Sequence, residues 1–189
     1  MLFDIREIIE LIIMVIAIGY IFSGFIKKPV NMSDPFSFYK KTSLVEDIKY
    51  GIIVAAPAVV LHELAHKFTA MSFGASATLH APLGWYAIVA VMRLLNSPFM
   101  FFVGGYVTIS GVLTPLESAI VSISGPLVNL ILFLIGTALI KFNIVDSKHF
   151  KTISISSKLN LFLFAFNMLP LPGFDGLGFF QAIISMFLG

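Results

Sequence analysis

The chain has 189 residues, of which 58% are hydrophobic and 12% charged, whereas an ordinary soluble domain carries about 25% charged residues, so the composition is that of a membrane protein. Its net charge of +2 comes from Lys clusters outside the apolar runs, with no basic stripe interleaved with aromatics, which excludes a nucleic-acid partner. The chain has no cysteine, which rules out disulfides, Cys-ligated zinc and thiol catalysis and leaves any metal to His and carboxylate ligands.

A bilayer core about 30 Å thick needs about 20 apolar residues in a helix, and four stretches meet that need. The first is residues 8–26, with Asp4, Glu7 and Glu10 at its start. Lacking a basic start and a small-residue cleavage site, it is read as a retained span and not a signal peptide. Residues 27–50, with five Lys, Pro29 and Asp34-Pro35, read as a polar interfacial loop. The second span is 51–73. Residues 74–114 are apolar but punctuated by Gly74, Pro82, Gly84, Pro98, Gly104, Gly105 and Gly111, and Tyr106-Val107-Thr108-Ile109 is strand-like. Short strands and turns partly sunk in the membrane are expected there, with a fifth span over 98–112 as the alternative. The third span is 116–140. The fourth is broken: 159–169, then Pro170-Leu171-Pro172-Gly173, then 174–188. Two prolines remove donors and clash with the preceding turn, and in lipid such a break survives only where it packs in protein or lines a wet cavity. The break is therefore a site candidate.

His62-Glu63-Leu64-Ala65-His66 lies near the middle of the second span. Residues four apart share one helix face, so both imidazoles can reach one ion, and Glu63 can take a proton from a water that the metal activates. Ala55, Ala56, Val59, Val60 and Leu61 precede the motif and Phe68, Ala70, Met71 and Phe73 follow it. Ionisable groups in such a span are costly and point to function, whereas a solvated helix face would carry them freely. A catalytic zinc needs one more protein ligand besides water. Glu117 stands at the edge of the third span, His80, Asp146 and His149 lie in irregular or polar segments, and Asp175 follows the proline break inside an apolar run. An unpaired carboxylate there would be expensive; its other reading is a cap for the helix after the break. Asn167, beside the same break, can offer donors where charge develops or can pack helices. Asn129, at packing spacing from Gly125, is read as structural, and His80 and His149 are read as structural imidazoles and not ligands.

The chain resembles the site-2 proteases, a family of intramembrane zinc metalloproteases. The resemblance rests on His62-Glu63-Leu64-Ala65-His66, Gly104-Gly105-Tyr106-Val107, Ser124-Gly125-Pro126-Leu127-Val128-Asn129, and Asn167-Met168-Leu169-Pro170-Leu171-Pro172-Gly173-Phe174-Asp175-Gly176, in that order. The second and third pieces are weak alone, because glycines in a span often only permit close packing. The resemblance implies one zinc ion held by His62, His66 and Asp175, with Glu63 as general base and later acid and Asn167 contacting the substrate backbone or the oxyanion. The substrate it implies is a transmembrane protein, unwound and paired with strands after the HExxH helix. No peptide-binding insert fits between the third and fourth spans, so the chain reads as a minimal core or as a piece cut from something longer.

The expected architecture is an all-α polytopic membrane protein of about four transmembrane helices, one broken by Pro-Leu-Pro-Gly, with a short membrane-embedded strand-like region. Residues 1–189 form one domain, with 1–50 an accessory span and linker and 51–189 the catalytic core. Its partners are the lipid bilayer and a transmembrane substrate, and its place is a multi-pass position in the cell membrane. A membrane HExxH protease using Glu117, a catalytically silent zinc- or client-binding protein, and a metal or ion transporter are the alternatives. Intact Glu63 speaks against the silent protein, and a single broken helix against the transporter.

Overall fold

The computed structural model describes residues 2–26, 43–95 and 104–188. The linker reading over 27–42 lies outside the described residues, as does the start of the alternative fifth span. Three helices open on capping boxes, in which a side-chain oxygen and the third residue's carboxylate satisfy donors that the first turn leaves open. Asp4 with Glu7 starts α1 (Ile5–Phe22), Ser43 with Glu46 starts α2 (Leu44–Ser72), and Thr114 with Glu117 starts α4 (Pro115–Lys141). The second box explains why α2 begins at Leu44 and not at residue 51. Helices α1 and α2 pack closely, since a Cβ at Gly51 would stand 2.6 Å from the Gly19 carbonyl oxygen.

Residues 74–114 hold two strands, as the residue types predict, but also a helix. Strand β1 (Ser76–His80) pairs antiparallel with β2 (Tyr106–Ser110), Ser76 facing Ser110 and His80 facing Tyr106. Helix α3 (Leu83–Leu94) lies between them in sequence, where Pro82 and Gly84 had read as turn. Its Tyr86 and Val89 are buried in a core shared with Met14 and Ile18 of α1, Val59 of α2 and Leu163. The described end of the alternative span, residues 104–112, contains β2 and no helix, so a span over 98–112 is not formed.

The outer edge of β1 is closed by side chains. Lys67 Nζ donates to the Ala77 carbonyl at 2.9 Å, Glu7 accepts the Leu79 N–H at 2.7 Å, and Glu10 accepts the Ala81 N–H at 2.8 Å. Lys67 and Glu7 also form an ion pair with side chains 1% and 5% exposed. Alternate backbone groups of a strand point to opposite edges. Since those of Ala77 and Leu79 face outward, the strands bond through Ser76, Thr78 and His80, and the backbone groups of Val107 and Ile109 turn away from β1. Among the described residues these groups of β2 have no hydrogen-bond partner.

Helix α4 packs against α2, α5 (Ser147–Asn167) and α6 (Asp175–Leu188). The expected break separates α5 from α6, but α5 starts at Ser147, well before residue 159. Among the described residues, α4 is the one helix long and apolar enough to cross a membrane; α3 and α6 are shorter apolar helices.

Candidate metal centre

The one-turn spacing in α2 puts His62 and His66 on the same face, and the ring Nε2 atoms stand 3.2 Å apart. The proline break turns the chain so that Asp175, the first residue of α6, meets them. Its Oδ2 lies 3.0 Å from His62 Nε2 and 3.3 Å from His66 Nε2. Among the described residues, these three form the group that could hold a metal ion.

Hydrogen bonding fixes which imidazole nitrogen is free. His66 Nδ1 lies 2.7 Å from the Val121 carbonyl oxygen, an atom that only accepts, so the proton is on Nδ1. Asn129 Nδ2 donates to the Ala58 carbonyl at 3.0 Å and to Asn160 Oδ1 at 2.9 Å. With both amide protons engaged, Asn129 Oδ1 accepts from His62 Nδ1–H at 2.7 Å. In the neutral rings both Nε2 lone pairs therefore face the Asp175 oxygen, so that three acceptor atoms converge on one point. A cation fits that arrangement. Metal–ligand bonds of 2.0–2.1 Å in a tetrahedron place ligand atoms about 3.3 Å apart, close to the separations found. Hydrogen-bonded Nδ1–H groups are the usual support of metal-binding histidines.

Room for the ion is made by Gly125 in α4. A Cβ there would overlap His66 Nε2 and stand 2.7 Å from His62 Nε2. The glycine that sequence reasoning took for helix packing thus faces the imidazoles. Glu63 is buried beside His62, His66 and Asp175, and Gly105 packs against its side chain, where an added Cβ would stand 3.1 Å from Glu63 Cγ. All four line a cavity of about 900 Å³. Gly105, Val107 and Ile109 from the β2 segment and Phe166, Asn167 and Phe174 from around the break also line it. The Asn167 side chain makes no hydrogen bond to a described residue. Tyr86 ties α3 to this wall through a hydrogen bond to the Gly104 carbonyl at 3.0 Å.

The competing ligands are elsewhere. Glu117 is spent on the α4 capping box, Asp146 pairs with Lys148 at 3.3 Å, and His80 Nδ1 meets Glu10 at 3.3 Å. Asn129 is structural, as expected, but what it holds is His62. Asn160, also buried, was not singled out from the sequence, although its place about two turns before Asn167 in an apolar run is a signal of the same kind.

No family model and no solved structure matches the chain. It is 32% identical over 177 residues to the protein named "Putative zinc metalloprotease MJ0611" of Methanocaldococcus jannaschii, covering 92% of this chain and 83% of the relative. It is 31% identical over 159 residues to "Putative zinc metalloprotease YwhC" of Bacillus subtilis, covering 67% of this chain and 65% of that one. These relatives' names give zinc, and the His62-His66-Asp175 group of this chain could hold one such ion. By this likeness over most of its length, the chain belongs to a family of zinc metalloproteases.

Proposed function

We propose that the protein is an intramembrane zinc endopeptidase of the site-2 type, cutting peptide bonds in or near the transmembrane segments of membrane proteins. The observation that carries this reading is one cavity lined by His62, His66, Asp175, Glu63 and the free edge of β2. His62, His66 and Asp175 hold the zinc, whose chemistry is to polarise a carbonyl and acidify a water. Glu63 is the base that takes the proton from the attacking water and then delivers it to the leaving amine. Gly105 packs closely against its side chain.

An enzyme must have its substrate extended, because a helix keeps its own backbone groups occupied. The open N–H and C=O groups of Val107 and Ile109 can pair with such a segment as an added strand, which would bring its carbonyls beside Glu63. Asn167, which lines the same cavity, would donate to the oxyanion or the substrate backbone. Membrane residence is supported by outward apolar faces: Ile5, Ile12 and Ile16 on α1, Leu127, Ile131 and Leu134 on α4, and Ile184 and Phe187 on α6 are all exposed. Water rejects patches of this kind and lipid accepts them. On this reading α1, α2, α4 and the α5–α6 pair are four crossings, and the protein is multi-pass in the cell membrane.

The test is zinc content of the detergent-solubilised protein together with cleavage of a transmembrane peptide. The parent carries about one zinc per chain and cuts; Asp175→Ala loses the metal; Glu63→Gln keeps it and falls by at least about 10²-fold in rate. A parent free of zinc, or a Glu63→Gln variant that cuts at the parent's rate, would overturn the assignment.

A further inference from the structure

Asn160 lies on α5 and hydrogen-bonds none of the three metal-binding side chains, yet it is 3% exposed and bonded through both its Nδ2 and its Oδ1. Its Nδ2 donates to the Ser156 carbonyl at 2.9 Å, one turn earlier in α5. That bond leaves Oδ1 facing Asn129, where it accepts one of the two Nδ2 protons. Asn129 in turn presents Oδ1 to His62. The amides thus run in one direction, from the Ser156 carbonyl through Asn160 and Asn129 to the imidazole, joining α5, α4 and α2.

The direction matters because an amide can be turned over. A flipped Asn129 would point Nδ2 at His62, which would then accept at Nδ1 and carry its proton on Nε2, where a metal-binding lone pair is needed. Two acceptors on the far side, the Ala58 carbonyl and Asn160 Oδ1, oppose the flip. The first belongs to the helix backbone and is fixed in any sequence; the second depends on residue 160. We infer that Asn160 is a positioning residue for the metal, setting the tautomer of His62 through Asn129. The inference rests on His62 being a zinc ligand. It adds that affinity for the ion is set partly from α5, the helix that leads into the break carrying Asp175.

Zinc affinity of the solubilised full chain, measured by competition with a chromophoric chelator, tests this, with the visible absorption of the cobalt-substituted protein as a second readout. Asn160→Leu keeps the volume and removes the acceptor; it binds zinc about tenfold more weakly, and its cobalt spectrum shifts. Asn160→Asp keeps an acceptor facing Asn129 and binds more tightly than Asn160→Leu. Ser157→Ala, one residue away and buried against Gly136 of α4, matches the parent. Parent-like affinity and spectrum in Asn160→Leu overturn the inference while leaving the metal site standing. An equal loss in Ser157→Ala also overturns it, because looser packing of α5 would then explain both. A parent that takes up no zinc removes the metal reading and this inference with it.

Discussion

At the scale of single residues, the centre depends on small groups as much as on its ligands. Gly125→Ala sets a methyl group where the two imidazoles converge, so the expected outcome is loss of zinc with helix content by circular dichroism unchanged. Asn129→Ala leaves His62 Nδ1–H without an acceptor in a buried position and should lower zinc affinity by about 10- to 100-fold, read by chelator competition. Away from the centre, Lys67→Met strands the Glu7 carboxylate among buried groups. Loss of one partner of a buried pair costs about 3–5 kcal/mol, which a denaturant titration would register; the double variant with Glu7→Gln should recover part of it. The HExxH pair and Asp175 were legible because ionisable residues are rare inside apolar runs. The Lys67–Glu7 pair was not, since nothing local in either residue names a partner 60 positions away.

At the scale of elements, the helices were legible where apolar length or a break spoke for itself: α4 and the α5–α6 break lie where the sequence places them. Polar starts misled. Residues 44–50 and 147–158 look like loop because they carry Lys, Glu and Ser, yet the Ser43–Glu46 box and tertiary packing make them helical. Helix α3 was missed because an apolar run without polar punctuation has no readable period. The strands carry the proposed pairing with substrate. With β1 closed by Lys67, Glu7 and Glu10, the open edge of the pair is that of β2, beside Glu63. Val107→Pro removes an outward N–H without touching the bonds to β1, and proline is tolerated on a free edge. Cleavage of a transmembrane peptide should then show a raised KM at parental zinc content. Thr108→Pro, which breaks the pairing with Thr78, should destabilise the hairpin itself.

For the whole molecule, His62 and Asp175 are separated by 113 residues, so a metal held by both ties the second helix to the last one. A ligand that binds only the folded state stabilises it by about 4 kcal/mol at a thousandfold excess over Kd. Chelation should therefore lower the unfolding temperature of the parent and leave that of Asp175→Ala unmoved, as differential scanning fluorimetry would show. That cross-link across the fold was legible only in part: the sequence supplies the ligands, while the tilt that brings α6 to α2 comes from the packing of both on α4.

The same separation has a consequence for how the chain is made. A ribosome adds about 5–20 residues each second, so the helix bearing His62 and His66 exists for on the order of ten seconds before Asp175 is synthesised. During that interval the nascent chain holds two imidazoles and a glutamate but not the carboxylate that completes the set. On this ligand set, the nascent chain has no complete metal centre until α6 docks against α4.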